Sequence, residues 1–303
     1  MEQEDNMKVT SKSDPNGMQA LTDTAQVFLA NSITFAGKTS LLDTRKARGN
    51  LAFVHRVDGP YYMARYARSL ETLEAIPKED QQTVSINERY ACATVFQSTW
   101  SMNANLRIGL NLRNPVLVPN TVNPIIYFPQ ENKTSVENRK INIIASSHST
   151  APRKGFDTMM WVDKNLDFAR FNFMYIGGKP KDFLTSNIVQ RAEAPSEGVA
   201  DALRGADIYF APSRGEPASN AVLEALACGL PVLYQEGSSH EELVGEGGVG
   251  FAGTGPGLLK SLDELVLRYE YHRSRIRIPT IKEVTRRYLS IMRWCFFMRN
   301  TIL

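Results

Sequence analysis

Between residues 140 and 252 the chain repeats one pattern: a short apolar run, a helical segment, another apolar run. "KINIIASS", "FNFMYIGG", "DIYFAPS", "PVLYQEG" and "GVGFA" read as strands. "FDTMMWVDKNL", "EGVADALRGA", "SNAVLEALACG" and "HEELVGE" lie between them as helices. A strand that is apolar almost throughout must be covered on both faces, and strands joined through helices pair in parallel. The pattern predicts an α/β, doubly wound, Rossmann-like domain over residues 138–285. Sheets of this kind take their ligands at the carboxyl ends of the strands.

The first half, residues 1–130, carries the same alternation more thinly. "MKVTSKS" reads as a strand, "DPNG" as a loop and "MQALTDTAQVFLANSI" as a helix. "NLAFVHRVDG" is a strand ending in a turn, and "ERYACA", "TVFQS", "NANLRIGL" and "PVLVPN" continue the alternation. About four strands are expected, a reduced Rossmann-like domain. The polar stretch "PQENKTSVENRK" (residues 129–140) reads as the linker. Two helices, "GLLKSLDELVLRYEYH" and "IKEVTRRYLSIMRWCFFM", close the chain. The 303 residues suffice for two cores, and the net charge of +3 is too small to argue for nucleic acid. No apolar run approaches the ~18 residues of a membrane span, and "MEQEDNMKV" is acidic, unlike a signal peptide, so a cytoplasmic protein is expected. Cys92, Cys228 and Cys295 are widely spaced and read as reduced thiols; the four histidines are scattered, so no zinc site is expected.

One stretch carries the chemistry: "SRGEPASNAVLEALACGLPVLY", residues 213–234. Its helix has a capping residue at Ser219/Asn220 and ends at Gly229 and Pro231. The helix N-terminus offers free backbone N–H groups and the positive end of a dipole, a seat for phosphate. Glu224, one turn inside, can accept hydrogen bonds from a ribose diol, and Glu216, in the preceding loop, from a second polyol. At the mouth of the domain's first strand, Arg153 and Lys154 precede Gly155, and cations there would face the same phosphates. Two acceptor-only groups flanking an anion seat suit a sugar–diphosphate–nucleoside. Gly177 and Gly178 end another strand, where the backbone can approach a ligand or simply turn. "HRVDG" either brings His55, Arg56 and Asp58 to the cleft between domains, where Asp58 or His55 would orient an acceptor hydroxyl, or is a plain strand and turn. Glu241 and Glu242 read as a solvated surface helix.

"EPASNAVLEALACGLPVLY", "APRKGFDTMM" and "RGADIYFAPS" resemble the nucleotide-sugar-binding half of retaining glycosyltransferases of the GT-B fold, the family-four group, also described as glycosyl transferases group 1. "VHRVDGPYY" and "TVFQSTWS" resemble its acceptor domain more loosely. The resemblance implies two Rossmann-like domains and hexosyl transfer from a nucleotide-diphosphate-sugar to a hydroxyl of a glycan, lipid or small acceptor. It implies retention, no bound metal and no permanent cofactor. Glu216 would contact the donor sugar and Glu224 the ribose. Lys154 would neutralise the leaving diphosphate, helped by N–H groups near Ser219 and Asn220. The family's usual arginine, five residues before the lysine, is replaced by Ser149, with Arg153 or a side chain from elsewhere as the candidate substitute.

From Arg268 to Leu303 nine Lys/Arg stand against two Glu. "TRRYLSIMRWCFFMRN" puts Tyr288, Ile291, Met292 and Cys295 on one helix face. This basic helix, residues 286–303, admits two readings: crossing back onto the first domain, as GT-B implies, or peripheral contact with an anionic membrane. The rival functions are a catalytically weakened nucleotide-sugar-binding subunit or scaffold and a nucleotide-sugar epimerase.

Overall fold

The computed structural model describes residues 27–33, 39–64, 75–131 and 136–299. It contains two parallel sheets. The first runs β1 (Phe28–Asn31), β2 (Phe53–Arg56), β3 (Ala93–Phe96), β4 (Pro115–Leu117), paired in that order. Helix α1 (Ser40–Ala47) follows β1, α2 (Tyr61–Ala64) and α3 (Lys78–Tyr90) follow β2, and α4 (Thr99–Leu106) follows β3.

The second sheet has six strands: β5 (Ile141–Ser147), β6 (Phe171–Gly177), β7 (Val189–Arg191), β8 (Ile208–Ala211), β9 (Val232–Gln235) and β10 (Gly248–Phe251). Their spatial order is β10-β9-β8-β5-β6-β7. After β5 the chain builds outward through β6 and β7, then returns to lay β8, β9 and β10 on the other side. The strand order therefore reverses between β5 and β8, and such a switch point opens a crevice at the carboxyl ends. The connecting helices are α5 (Phe156–Asn165), α6 (Ser196–Arg204), α7 (Asn220–Ala227), α8 (His240–Val244) and α9 (Pro256–Leu267). On one face Phe156, Met159 and Val162 of α5 and Leu258, Leu262 and Leu265 of α9 pack on β5 and β6. On the other, Val199 and Leu203 of α6 join Val222 and Leu226 of α7 against Ile144, Tyr209 and Val232. The apolar strands are covered on both faces, which is why no polar alternation shows in their sequences.

The chain ends in α10 (Tyr269–Arg275) and α11 (Ile281–Met298). Thr280 and Glu283 form a reciprocal capping box that starts α11. Ile291 and Cys295 of α11 are buried against Ala52, Val54, Ala93, Val95 and Val118 of the first sheet, with Tyr288 and Met292 beside them. The other face of that sheet packs Phe28 and Phe53 on Leu42, Ile86 and Tyr90. Helix α11 thus completes the first domain. Among the described residues, no helix is long and apolar enough to cross a membrane.

Two sequence expectations are corrected. Residues 28–31, read as the end of a helix, are β1, paired Phe28↔Phe53 to Asn31↔Arg56. Phe28 and Ala30 are buried while Leu29 and Asn31 are exposed. This period-two pattern is hidden in the sequence because Leu29, 46% exposed, is itself apolar. The alternation of residues 88–120 holds: Tyr90 ends α3 and Leu106 ends α4, between strands β3 and β4. Cys92 and Cys295 are not reduced thiols but a disulfide, with Cα atoms 5.8 Å apart across 203 residues. Cys228 is buried and not part of a disulfide. The proposed strand "MKVTSKS" and loop "DPNG" lie outside the described residues.

Candidate active site

The crevice at the switch point is a cavity of about 430 Å³. Lys154, Glu216, Ser219, Asn220, Glu224 and Gly177 all line it. Their convergence follows from the fold: Lys154 leaves the end of β5, Gly177 ends β6, and the loop after β8 carries Glu216 into α7.

Glu216 is 4% exposed and forms two ion pairs through Oε1, to Lys154 Nζ at 2.5 Å and Arg153 Nη1 at 2.9 Å. Burial alone would lift its pKa. The Lys154 and Arg153 charges and the Lys154 hydrogen bond outweigh burial and hold the carboxyl below its usual range. The group is two cations around one anion, a net positive spot at the mouth of α7. The loop is fixed by its backbone: Arg214 N donates to Arg153 O at 2.8 Å and Ser239 N to Glu216 O at 3.0 Å.

Helix α7 begins as its sequence implies. Ser219, in extended conformation, accepts a hydrogen bond from Val222 N, and the last turn passes into Gly229 at φ +80°. Glu224 faces the cavity from inside the helix. Burial raises its pKa, opposed by a hydrogen bond from Tyr127 and by nearby His148. Tyr127, from the segment between domains, packs against α7 and is held protonated by burial and the Glu224 charge. No motif points to it.

Two glycines are demanded by geometry. Gly155 has φ +76°, and a Cβ there would lie 2.4 Å from Pro212 O; Gly177 has φ +133°, and its Cβ would lie 2.0 Å from Ser147 O. Without them the 152–154 turn could not nest against the β8 loop, nor the end of β6 against β5. Ser149, at the position of the resemblance's arginine, shapes its own loop: its N–H donates to Ser147 Oγ and its hydroxyl accepts from Ala151 N.

The first-domain candidates part company. His55 is fully buried, with Nε2 bonded to Ser32 O and Nδ1 to Asn87, and burial lowers its pKa to about 4. It is a neutral core residue and does not reach the cleft. Asp58 pairs with Arg56 at 2.8 Å and accepts from Asn31 at 2.9 Å, and neither Asp58 nor Arg56 lines the 430 Å³ cavity. Arg56 also donates to Asn120 Oδ1, and Asn120 donates to Asn220 Oδ1 at 2.9 Å, joining the first sheet's edge to the start of α7. The domains also meet at Gly59, where a Cβ would lie 3.0 Å from Pro217. Glu242, read from sequence as a solvated surface residue, accepts from Thr99 N (2.8 Å) and Trp100 N (2.7 Å), capping α4 across the interface. Glu241 instead accepts from Gly237 N at 2.6 Å in its own turn. Among the described residues, no group of three or more His, Cys, Asp or Glu is placed to hold a metal ion.

Residues 141–266 match the family model of glycosyl transferases group 1. The second domain is a glycosyl transferases group 1 domain. The match begins at β5 and ends within α9, so it contains every residue of the cation–carboxylate group. No curated protein matches the chain in sequence. Similar solved structures include sucrose-phosphate synthase from Thermosynechococcus elongatus, 14% identical, TM-score 0.66, over 93% of this chain and 72% of that one. A glycosyltransferase from Rickettsia africae is 13% identical, TM-score 0.63, over 95% and 84%. Anabaena HepE, solved with UDP and glucose, is 15% identical, TM-score 0.57, over 98% and 82%. At these identities the likeness is one of fold, and the fold is GT-B: two facing Rossmann-like domains, the first of four described strands.

Proposed function

We propose that this glycosyltransferase moves a sugar from a nucleotide-diphosphate-sugar to an acceptor hydroxyl with retention, without a bound metal. One observation carries the reading: Lys154 and Glu216 meet at the mouth of α7, in a cavity that also holds Glu224, and Arg153 pairs with the same Glu216 oxygen from the neighbouring cavity. The crystallised HepE complex with UDP and glucose supports the same ligand class.

In this arrangement the diphosphate sits at the α7 N-terminus against Lys154 and Arg153, the ribose at Glu224 and the sugar hydroxyls at Glu216. Transfer breaks the bond between the anomeric carbon and the phosphate oxygen, and the acceptor oxygen forms the new bond. The acceptor proton passes to the departing diphosphate. Charge grows on that diphosphate as the bond stretches, so fixed cations and helix N–H groups stabilise the transition state more than the ground state. Glu216 holds both cations in position, which limits their reorganisation when the anion arrives. The acceptor approaches between the domains, where Met63 of α2 shares a second cavity of about 570 Å³ with Arg153 and Gly215.

A second reading, a binding subunit with weakened turnover, is favoured by Ser149, whose side chain supplies no charge where the resemblance expects an arginine. Incubation with a panel of nucleotide sugars and hydroxyl acceptors separates the two. Release of nucleoside diphosphate with a retained anomer in the product, lost in Lys154→Ala and Glu216→Ala, is expected. Tight binding without any product would favour the binding subunit, and an epimerised donor formed without acceptor would overturn transfer.

A further inference from the structure

Glu193 is the third carboxylate in the cavity, and the chemistry above leaves it unused. It stands two residues beyond β7, the edge strand, at the opposite end from Lys154. Between the loop after β8 and the end of β7 lie three strand spacings, β8 to β5 to β6 to β7, or about 14 Å at the usual inter-strand distance. A diphosphate at Lys154 and a ribose at Glu224 direct the base along this line, toward Gly177, Gly178 and Glu193.

The far end has the character of a base slot. Ala194, Val199 and Ile176 give it apolar walls, and Gly177 presents no side chain. Glu193 Oε1 lies 2.7 Å from where a Cβ on Gly178 would stand, so the carboxylate lies over the glycine's open face. Its charge is felt by the Tyr175 hydroxyl, which is hydrogen-bonded to the backbone of Gly178. Glu193 itself makes no hydrogen bond or ion pair among the described residues. An ionised carboxylate offers two acceptor oxygens and no donor.

Resting on the donor-site reading above, we propose that Glu193 reads the base and that the donor is a guanosine-diphosphate sugar. Guanine alone among the common bases presents two adjacent donor groups, N1–H and the 2-amino group, which match two carboxylate oxygens. Uracil offers one N–H flanked by two carbonyls, which a carboxylate repels. Adenine and cytosine each set one amino group beside a ring-nitrogen acceptor. A site built to accept hydrogen bonds discriminates strongly against ligands that leave it unpaired.

The test is calorimetric titration of GDP, UDP and ADP into the full chain and into its Glu193→Gln and Lys154→Ala variants. GDP is expected to bind the wild type about tenfold or more tighter than UDP or ADP. Glu193→Gln should remove that preference, weakening GDP while UDP and ADP bind as well as before or better. UDP or ADP binding as tightly as GDP, or a Glu193→Gln loss shared equally by all three, would overturn the assignment of the base while leaving the donor site intact. Absence of binding by all three, or binding indifferent to Lys154→Ala, would instead overturn the donor-site reading and this inference with it.

Discussion

Replacing Glu216 by alanine tests the charge group from inside. The carboxylate side chain is 6% exposed, and its two partners, Arg153 and Lys154, are 18% and 19% exposed. Its removal leaves two neighbouring cations without a counter-charge, little reached by water. Breaking a buried pair costs about 3–5 kcal/mol, and the residual access of both cations places this case near 3 kcal/mol. For a chain of this size that lowers Tm by roughly 6 °C. The sign with pH follows from the lowered Glu216 pKa. The ionised carboxylate stabilises the fold above its unfolded pKa, and that contribution disappears as pH falls through the folded value. Wild type and variant should therefore converge in acid. Binding of a nucleoside diphosphate should move the other way: the freed cations pair with the ligand, and its affinity rises by about tenfold. Thermal unfolding with and without the diphosphate reads both effects, since a ligand of the folded state raises Tm by mass action. A Glu216→Ala protein as stable as the wild type, with unchanged diphosphate affinity, would refute the reasoning.

The remaining expectations concern the fold. Because His55 titrates at about 4 in the folded chain and near 6.5 when unfolded, the unfolded state binds the extra proton first. Stability should fall by about 3 kcal/mol between pH 6.5 and 4, and His55→Asn should flatten that slope in denaturant titrations. Reducing the Cys92–Cys295 bridge, or Cys295→Ser, should lower stability by roughly 2–5 kcal/mol, since the bond closes a loop of some 200 residues, and melting curves with and without reductant check it. Gly177→Ala must displace the end of β6 from Ser147, with an expected loss of about 2 kcal/mol or more together with weakened nucleotide binding.

The second domain was legible because its long strands are mostly apolar and its α7 is bounded by recognisable capping chemistry. "SNAVLEALACG" announces both the start and the end of α7, and with them the positions of Glu216 and Glu224. Strand β7 was not legible: Val-Gln-Arg at a sheet edge, with Val189 59% exposed, carries no burial signal. Nor was β1, where pairing with β2 decides the structure of a run whose exposed position holds leucine. His55 was a cleft candidate because "HRVDG" ends a strand; Ser32 and Asn87, from other elements, make it a core residue. Tyr127, Glu242 and the disulfide share one cause. Each partner is more than 90 residues away, and only the packing of the linker, the domain interface and α11 brings them together. Arg153 was the reverse case: its adjacency to Lys154 sufficed to nominate it, and the loop after β8 supplied the carboxylate they share.

The central claim is that a diphosphate sits between Lys154 and the mouth of α7. Calorimetric titration of one nucleoside diphosphate and its parent nucleoside into the wild type and Lys154→Ala tests it most directly. A charged hydrogen bond of ordinary strength predicts about a tenfold or greater loss for the diphosphate in the variant, with the nucleoside unaffected. Equal diphosphate affinity in the two proteins would contradict it.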